Sequence, residues 1–200
     1  MNWFKQAKKS SAWLAGLKEG DEHAEHKMIL TQSKFSEIKA AQKDVDLTDA
    51  LGSIWTMPVP KVIQQFEDAH VGGIADLGDS DAKNLISSVP NYEQFKQRLA
   101  NTIRSAFGNS FSVYRSMSQG EMDNWKNGED MGALSVTFSK SVADGFTNLA
   151  AVKDKNRVVI QITITPDIVV MRGSENEQEL VVDGNAISAG DIRVLDMIHA

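Results

Sequence analysis

The 200-residue sequence contains no cysteine. A disulfide scaffold, a thiol nucleophile and a metal site built on thiolates are therefore excluded. The sequence also lacks a run of about 20 apolar residues, the length that a membrane-spanning helix requires. Its first residues lack the apolar segment and small-residue cleavage site of a secretory signal. We therefore expect a cytoplasmic protein without a transmembrane segment.

Clustered positive charge is lacking as well. The formal net charge is −6 at pH 7, and the pI is near 5.2. Because nucleic-acid binding needs clustered lysine and arginine side chains, a nucleic acid is not the expected partner, although a small basic site is compatible with this charge. A hydrophobic content of 42% is enough to bury the core of a domain of ordinary size.

Common sequence signatures of nucleotide and catalytic sites are also absent. The chain contains no GxGxxG, no GxxxxGKS or GxxxxGKT, no HExxH and no GxSxG. The standard dinucleotide, triphosphate, zinc-protease and hydrolase sites therefore receive no support. Of the four histidines, only His23 and His26 are close in sequence, so we expect them on a helix surface and predict no metal site.

The first 18 residues carry lysines and no acid, and their apolar residues fit one helical face. This face consists of Trp3, Phe4, Ala7, Trp13, Leu14 and Leu17. The favoured interpretation is a helix docked on its own domain, with a membrane surface, a partner or a delivery machine as alternatives. We predict a helical N-terminal extension over residues 1–50 and a second unit over residues 51–200.

The second unit divides into a helical layer over residues 51–108 and a sheet core over residues 109–200. In the layer, one apolar stripe follows Pro58 and Pro60, and another runs from Tyr92 to Phe107 and ends at Gly108. Glycines and aspartates over residues 72–81 predict a loop between helices. In the core, strands are predicted over residues 111–117, 135–139, 158–164, 168–171, 179–182 and 192–198, and helices over residues 119–126 and 141–150. The predicted fold class is α+β.

Three polar groups interrupt the predicted strands. Arg115 lies within the apolar strand of residues 112–116, hydroxyls alternate along residues 135–139, and an acidic run over residues 175–179 leads into a strand. Glu177 and Glu179, two residues apart, point the same way if strand geometry has begun. Taken singly, each group has an ordinary explanation: a surface arginine, an exposed hydroxyl ladder and a solvated acidic turn.

Together, in this order and spacing, these groups resemble the arginine, serine and glutamate signature of mono-ADP-ribosyltransferases related to actin-modifying binary toxins and to arginine-specific enzymes. The resemblance covers roughly residues 90–198. Tyr114-Arg115 is similar to the family's first-strand arginine, and residues 135–137 stand at its Ser-Thr-Ser position, followed by Ala143 and Phe146. Residues 177–179 match its Glu-x-Glu turn.

This resemblance implies an ADP-ribosyltransferase-like fold with a mixed core of two packed sheets, and an enzyme that transfers ADP-ribose from NAD to an arginine of a target protein. It assigns stabilisation of charge on the ribose to Glu179, held by Ser135, and orientation of the acceptor to Glu177.

The same resemblance implies how NAD is bound. Arg115 would bind the pyrophosphate or ribose side of NAD, and Phe146 would stack on nicotinamide. The resemblance also implies that Ser116 and Thr137 contribute to NAD binding. Many relatives are toxins or effectors of bacteria or phages, delivered into a host or target cell.

The sequence departs from the family pattern at three positions. Ser116 replaces a glycine, Val136 replaces a threonine, and Leu149 stands where some toxins have a second arginine. Lys153, Lys155 or Arg157 are candidates for the missing phosphate contact, although solvated loop charges are the favoured interpretation. The alternative functions are an NAD glycohydrolase, a transferase with a non-protein acceptor, and an inactive binding module that kept the fold.

Overall fold

The computed structural model describes residues 57–71, 80–147, 156–174 and 177–199, together with Lys34, Phe35, Ile38 and Leu51. Several predictions fall outside these residues: nearly all of the extension over residues 1–50, most of the loop over residues 72–81, and the side chains of His23, His26, Leu149, Lys153 and Lys155.

Between residue 57 and the first described strand, the described ranges contain three helices. They are α1 (Val59–Val71), α2 (Ser80–Ser87) and α3 (Tyr92–Phe107). The predicted bounds of α3 are confirmed. Asn91 caps its start by accepting a hydrogen bond from the Gln94 amide at 2.9 Å, and Gly108 ends it at a φ of 88°, a value that favours glycine. Helix α2 was not predicted, and its start at Ser80 overlaps the end of the predicted loop.

The described ranges contain six strands, which are in chain order β1 (Phe111–Ser118), β2 (Ala133–Thr137), β3 (Asn156–Ile164), β4 (Val169–Arg172), β5 (Glu179–Asp183) and β6 (Ile192–His199). They form one sheet in the order β4-β5-β2-β1-β3-β6. Every pairing between neighbouring strands in this sheet is antiparallel. The predicted α+β class is confirmed, and so are the positions of the strands to within two residues, with β2 lying two residues earlier than the predicted range 135–139.

The predicted mixed core of two packed sheets is wrong for the described residues, because all six strands are hydrogen-bonded into one antiparallel sheet. The pairing between the two central strands, β2 and β1, is short, and we call it the central connection. Strand β1 pairs with β3 along its whole length, from Phe111 opposite Ile164 to Ser118 opposite Arg157, but it pairs with β2 at a single position, Tyr114 opposite Thr137. The sheet therefore consists of two three-stranded halves that meet at this position.

Two short helices follow the strands that meet at this connection. Helix α4 (Gln119–Lys126) follows β1 directly, and α5 (Lys140–Thr147) follows β2. Lys140 ties α5 to the sheet, since its ammonium group contacts Asp144 at 2.9 Å and Asp196 of β6 at 3.0 Å. Burial alone would lower the pKa of Lys140, but its hydrogen bonds to the two carboxylates outweigh burial and raise the pKa above its ordinary value.

Aromatic packing fixes the end of β2, where the central connection lies. Phe138 stacks on Phe107 of α3 at 4.3 Å between ring centroids, and on Phe111 of β1 at 5.2 Å. Phe35 meets the same ring edge-on at 5.7 Å. Such pairs contribute about 0.5–1.5 kcal/mol each beyond their buried area. Thr137, one residue before this cluster, is thereby held at the junction of the two halves.

None of the helices in the described ranges is long and apolar enough to span a membrane.

Candidate active site

A cavity of about 380 Å³ opens where the two halves of the sheet meet. Its volume lies within the range of small-molecule sites. All the site residues predicted from the sequence line it, namely Arg115, Ser116, Ser135, Thr137, Phe146, Glu177 and Glu179. Tyr114, Val136, Ala143 and Arg157 complete the wall. Residues from three separate sequence motifs are therefore brought together at one place.

Glu179 is the first residue of β5 and is only 3% exposed. The hydroxyl of Ser135 donates a hydrogen bond to its Oε1 at 2.5 Å, and the backbone amide of Ser174 donates to its Oε2 at 2.9 Å. Both oxygens of the carboxylate are thus held by donors from the protein. A buried carboxylate fixed in this way is suited to stabilising positive charge that develops in the cavity.

The approach of Glu179 to the chain before it requires a glycine at position 173. A Cβ at this position would lie 2.6 Å from Cδ of Glu179 and still closer to its Oε2. The backbone is also paired here, since the Gly173 amide donates to the Glu179 carbonyl at 3.0 Å. Gly173 therefore makes room for the carboxylate, a role that the sequence analysis missed.

Arg115 lies at the middle of β1, and its side chain is 18% exposed. Its Nη1 donates to the Ser135 carbonyl at 2.8 Å, and its Nη2 donates to Oε1 of Glu121 at 3.2 Å. Its buried Nε has no hydrogen-bond partner. Burial lowers the pKa of Arg115 below its ordinary value, while the Glu121 carboxylate opposes this change. The arginine is thus aligned beside the same serine that holds Glu179.

Glu121 is a second residue that the sequence analysis missed. It closes a capping box at the start of α4, in which the Ser118 amide donates to its Oε2 at 2.7 Å and its own amide donates to the Ser118 hydroxyl at 3.0 Å. Burial would raise the pKa of Glu121, but the Ser118 hydrogen bonds and the Arg115 charge hold it below its ordinary value. The Ser-x-x-Glu pattern is a local signal for the cap, but it does not reveal the contact with Arg115.

Thr137 and Glu177 are connected through the backbone. The Thr137 hydroxyl donates to the Glu177 carbonyl at 2.6 Å and accepts from the Ser139 amide at 3.0 Å. Glu177 and Glu179 both line the cavity, whereas Gln178 between them is fully buried at a φ of 49°. Both glutamates therefore reach the cavity because the turn between them adopts a left-handed backbone at Gln178. The sequence had instead suggested strand alternation.

Helix α5 supplies an aromatic ring to the wall of the cavity. Phe146 is 37% exposed, although it belongs to a helix whose other apolar residues Val142 and Ala143 are buried. The start of the helix is held by Ser139, whose side-chain oxygen contacts the Ser141 hydroxyl at 2.9 Å. A partly exposed ring that lines the cavity is available for stacking on a flat ligand.

Arg157 also lines the cavity, and the favoured interpretation of this residue as a solvated loop charge is wrong. It belongs to β3, is partly buried, and donates to the Ser116 hydroxyl at 2.9 Å and to the Ser116 carbonyl at 3.1 Å. The sequence placed it in a loop because the strand signal begins only at Val158. Ser116 thus has a partner across the sheet.

Within the described ranges, no group of three or more acidic or histidine side chains is placed to hold a metal ion. Comparison of the chain with models of protein families, with curated proteins and with solved structures found no match.

Proposed function

We propose that the protein is an NAD-dependent mono-ADP-ribosyltransferase that modifies arginine side chains of a target protein and releases nicotinamide. One observation carries this proposal: the buried carboxylate of Glu179 is fixed by Ser135 at a cavity that also holds Arg115, Glu177 and Phe146. Residues from both halves of the antiparallel sheet, which meet at Tyr114 and Thr137, line this cavity.

The cavity has the groups that NAD requires. Arg115 is a planar cation with an unused buried Nε, suited to the phosphate or ribose side of the dinucleotide. Phe146 offers a partly exposed ring for the nicotinamide.

The reaction breaks the bond between nicotinamide and the ribose, and the bonding electrons leave with nicotinamide. Positive charge develops on the ribose, and the ionised Glu179 stabilises it. A guanidine nitrogen of the acceptor then bonds to the ribose carbon and loses one proton. Free arginine is protonated and a poor nucleophile, so a group that orients it and takes up that proton is needed. Glu177, on the cavity wall beside Glu179, fills this role.

The test uses the purified full chain, NAD, and agmatine as a small guanidine acceptor. We expect nicotinamide release that agmatine accelerates, ADP-ribosyl-agmatine as the product by mass spectrometry, and no loss of activity with a chelator. Arg115→Ala and Arg115→Lys should both lower kcat/KM strongly, since a lysine cannot make the planar two-point contact. The exposed strand arginine Arg193 provides the control, and Arg193→Ala should keep full activity.

Two results would count against this function. A wild-type protein that is folded but releases no nicotinamide, with agmatine or with a cell lysate as acceptor, would contradict NAD cleavage. Nicotinamide release with free ADP-ribose as the only product would instead identify an NAD glycohydrolase, and would restrict the proposal to its first step.

A further inference from the structure

Phe35, which precedes the sheet in the chain, is fully buried and contacts the ends of two strands. Its ring meets Phe138, directly after β2, edge-on at 5.7 Å between ring centroids. The guanidinium carbon of Arg172, the last residue of β4, lies 5.8 Å from the centre of the Phe35 ring, and Arg172 is only 1% exposed. A guanidinium group within about 6 Å of a ring centroid is attracted by the ring, more strongly when both are removed from water. Phe35 therefore links the ends of β2 and β4.

Both contacts lie beside the turn over residues 177–179, which we call the glutamate turn. The Phe138 amide donates a hydrogen bond to the Gln178 carbonyl at 3.2 Å. Arg172 lies opposite Leu180, the residue after the turn. Because successive residues of a strand point to opposite faces, Arg172 and Leu180 lie on the face opposite to the cavity that the last glutamate of the turn lines. The turn is thus held between the cavity on one face and these contacts on the other.

The glutamate turn carries two unfavourable features at Gln178. Its φ of 49° is in the left-handed region, and no other non-glycine residue among those that the structure describes has a positive φ. Gln178 is also fully buried, and neither polar atom of its side-chain amide has a hydrogen-bond partner in the described part of the chain. Both features cost free energy, and such a conformation persists only where the surrounding structure determines it. The glutamate turn therefore depends on the groups packed around it.

We propose that Phe35 is a positioning residue of the active site. Its ring holds Arg172 and Phe138 in place behind the glutamate turn, and this support sets where the two glutamates of the turn stand in the cavity. The inference rests on the proposed function in one respect, because its effect on turnover presupposes NAD cleavage. It also extends the site to the predicted N-terminal extension over residues 1–50, which the resemblance does not include.

The experiment replaces the ring by an aliphatic side chain in the full-length protein, with Phe35→Leu. Phe66→Leu is the matched control, because Phe66 is also fully buried but packs on the rings of Tyr92 and Phe95 in the helical layer. Both variants lose a buried ring, so a general loss of packing should affect them alike. Thermal unfolding of each variant shows whether the protein is folded at the assay temperature.

Amide hydrogen exchange follows the glutamate turn independently of activity. The amides of Phe138, Gly173 and Glu179 donate to carbonyls in or beside the turn. Phe35→Leu should speed their exchange by about 10-fold or more, because opening of the turn then no longer breaks the contact between the ring and Arg172. The amides that pair β1 with β3 report on the stability of the whole sheet. Relative to them, Phe66→Leu should leave the exchange of the three amides unchanged.

Turnover separates positioning from substrate binding. Phe35→Leu should lower kcat for nicotinamide release by about 10-fold, since misplacing a catalytic group by about 1 Å costs up to about 100-fold. It should leave KM for NAD nearly unchanged. Phe35→Tyr keeps the ring and should retain more of kcat than Phe35→Leu does. Arg172→Lys keeps the charge but loses the planar group, so it tests the same contact with the same measurements if Phe35→Leu does not fold.

The outcomes distinguish this inference from the proposed function. If Phe35→Leu is folded and its turn amides exchange as in the wild type, or if Phe66→Leu lowers kcat as much as Phe35→Leu does, the positioning role of Phe35 is wrong while NAD cleavage can stand. Faster exchange with an unchanged kcat would also contradict it. If the wild type does not cleave NAD, the proposed function is wrong, and the exchange rates still decide whether Phe35 supports the turn.

Discussion

The side chain of Ser135 in β2 reaches diagonally across the strand pair to the carboxylate of Glu179, with 2.5 Å between the hydroxyl oxygen and Oε1. In the register of these strands, Ser135 lies opposite Val181, and Glu179 lies opposite Thr137. Diagonal neighbours of an antiparallel pair are within side-chain reach when the residues share a face. The serine therefore selects one orientation of the buried carboxylate at the cavity wall.

Ser135→Ala should lower the rate of nicotinamide release by about 10- to 100-fold, because a catalytic group that loses its orientation costs up to about 100-fold. Stability should fall by only about 1 kcal/mol, the usual contribution of one hydrogen bond. The control is Ser112→Ala on β1, which removes a hydroxyl bonded to Gln161 and should leave the rate unchanged. Equal activity of the two variants would show that the Ser135 contact does not serve catalysis.

Gly173→Ala should abolish most NAD cleavage although no cavity-lining side chain is altered. The added Cβ would lie 2.6 Å from Cδ of Glu179, so either the carboxylate or the backbone must move, at a cost of about 1–3 kcal/mol. Gly190→Ala is the matched control, since a Cβ there meets nothing within 4 Å. Rates and unfolding curves of both variants check this prediction. A fully active Gly173→Ala protein would contradict the placement of Glu179.

Local sequence patterns predicted those parts of the fold that local interactions determine. The bounds of α3 followed from an apolar stripe between a capping asparagine and a glycine, and both caps are present. The strands followed from short apolar segments, several of which alternate apolar with polar residues. The short helix α2 was missed because its eight residues are mostly polar. Its buried positions Ala82, Leu85 and Ile86 contribute too few apolar residues for a periodic signal.

The residues missed at the site depend on distances that no local pattern encodes. Gly173 matters because the end of β4 passes close to the start of β5. Arg157 enters the cavity through the register that puts it opposite Ser118. Likewise, strand alternation does not specify strand direction or the number of sheets, so the single antiparallel sheet was not foreseen.

Glu121→Gln should destabilise the protein in a pH-dependent way. The Ser118 hydrogen bonds and Arg115 hold the pKa of Glu121 below its ordinary value of 4.5, despite the opposing effect of burial. A carboxyl group with a lowered pKa stabilises the folded state above its unfolded pKa, and this contribution is lost as the pH falls through the folded value. Glutamine at this position can still accept the Ser118 amide hydrogen bond, and solvent screens the pair with Arg115 because the Glu121 side chain is 43% exposed. The variant should thus be less stable than the wild type by about 0.2–1 kcal/mol at pH 7. This difference should shrink below pH 4.5.

Urea unfolding of both proteins between pH 3 and pH 7 measures this difference. Glu129→Gln, which changes an exposed glutamate in the turn after α4, is the control and should show no such dependence. Because Glu121 also contacts Arg115 at 3.2 Å, its variant should in addition raise KM for NAD. A stability difference that stays constant down to pH 3 would contradict the ionised pair.

Glu177 and Glu179 line the same cavity but are held differently. The carboxylate of Glu179 is buried and accepts hydrogen bonds from Ser135 and Ser174. Glu177 is half-buried in the turn, and its backbone carbonyl accepts from Thr137. A buried, fixed carboxylate suits charge stabilisation on the ribose, and a more exposed one suits an acceptor that arrives from solvent.

The two carboxylates should therefore be separable by kinetics. Glu179→Gln should lose NAD hydrolysis and transfer to agmatine together, by about 100-fold or more, because one charged contact made in the transition state is worth a few kcal/mol. Glu177→Gln should lose transfer but keep much of the slow hydrolysis, since water needs no orientation of a guanidinium group. Parallel assays of free ADP-ribose and ADP-ribosyl-agmatine measure both rates. Equal losses of the two rates in both variants, or an active Glu179→Gln protein, would overturn this division of roles.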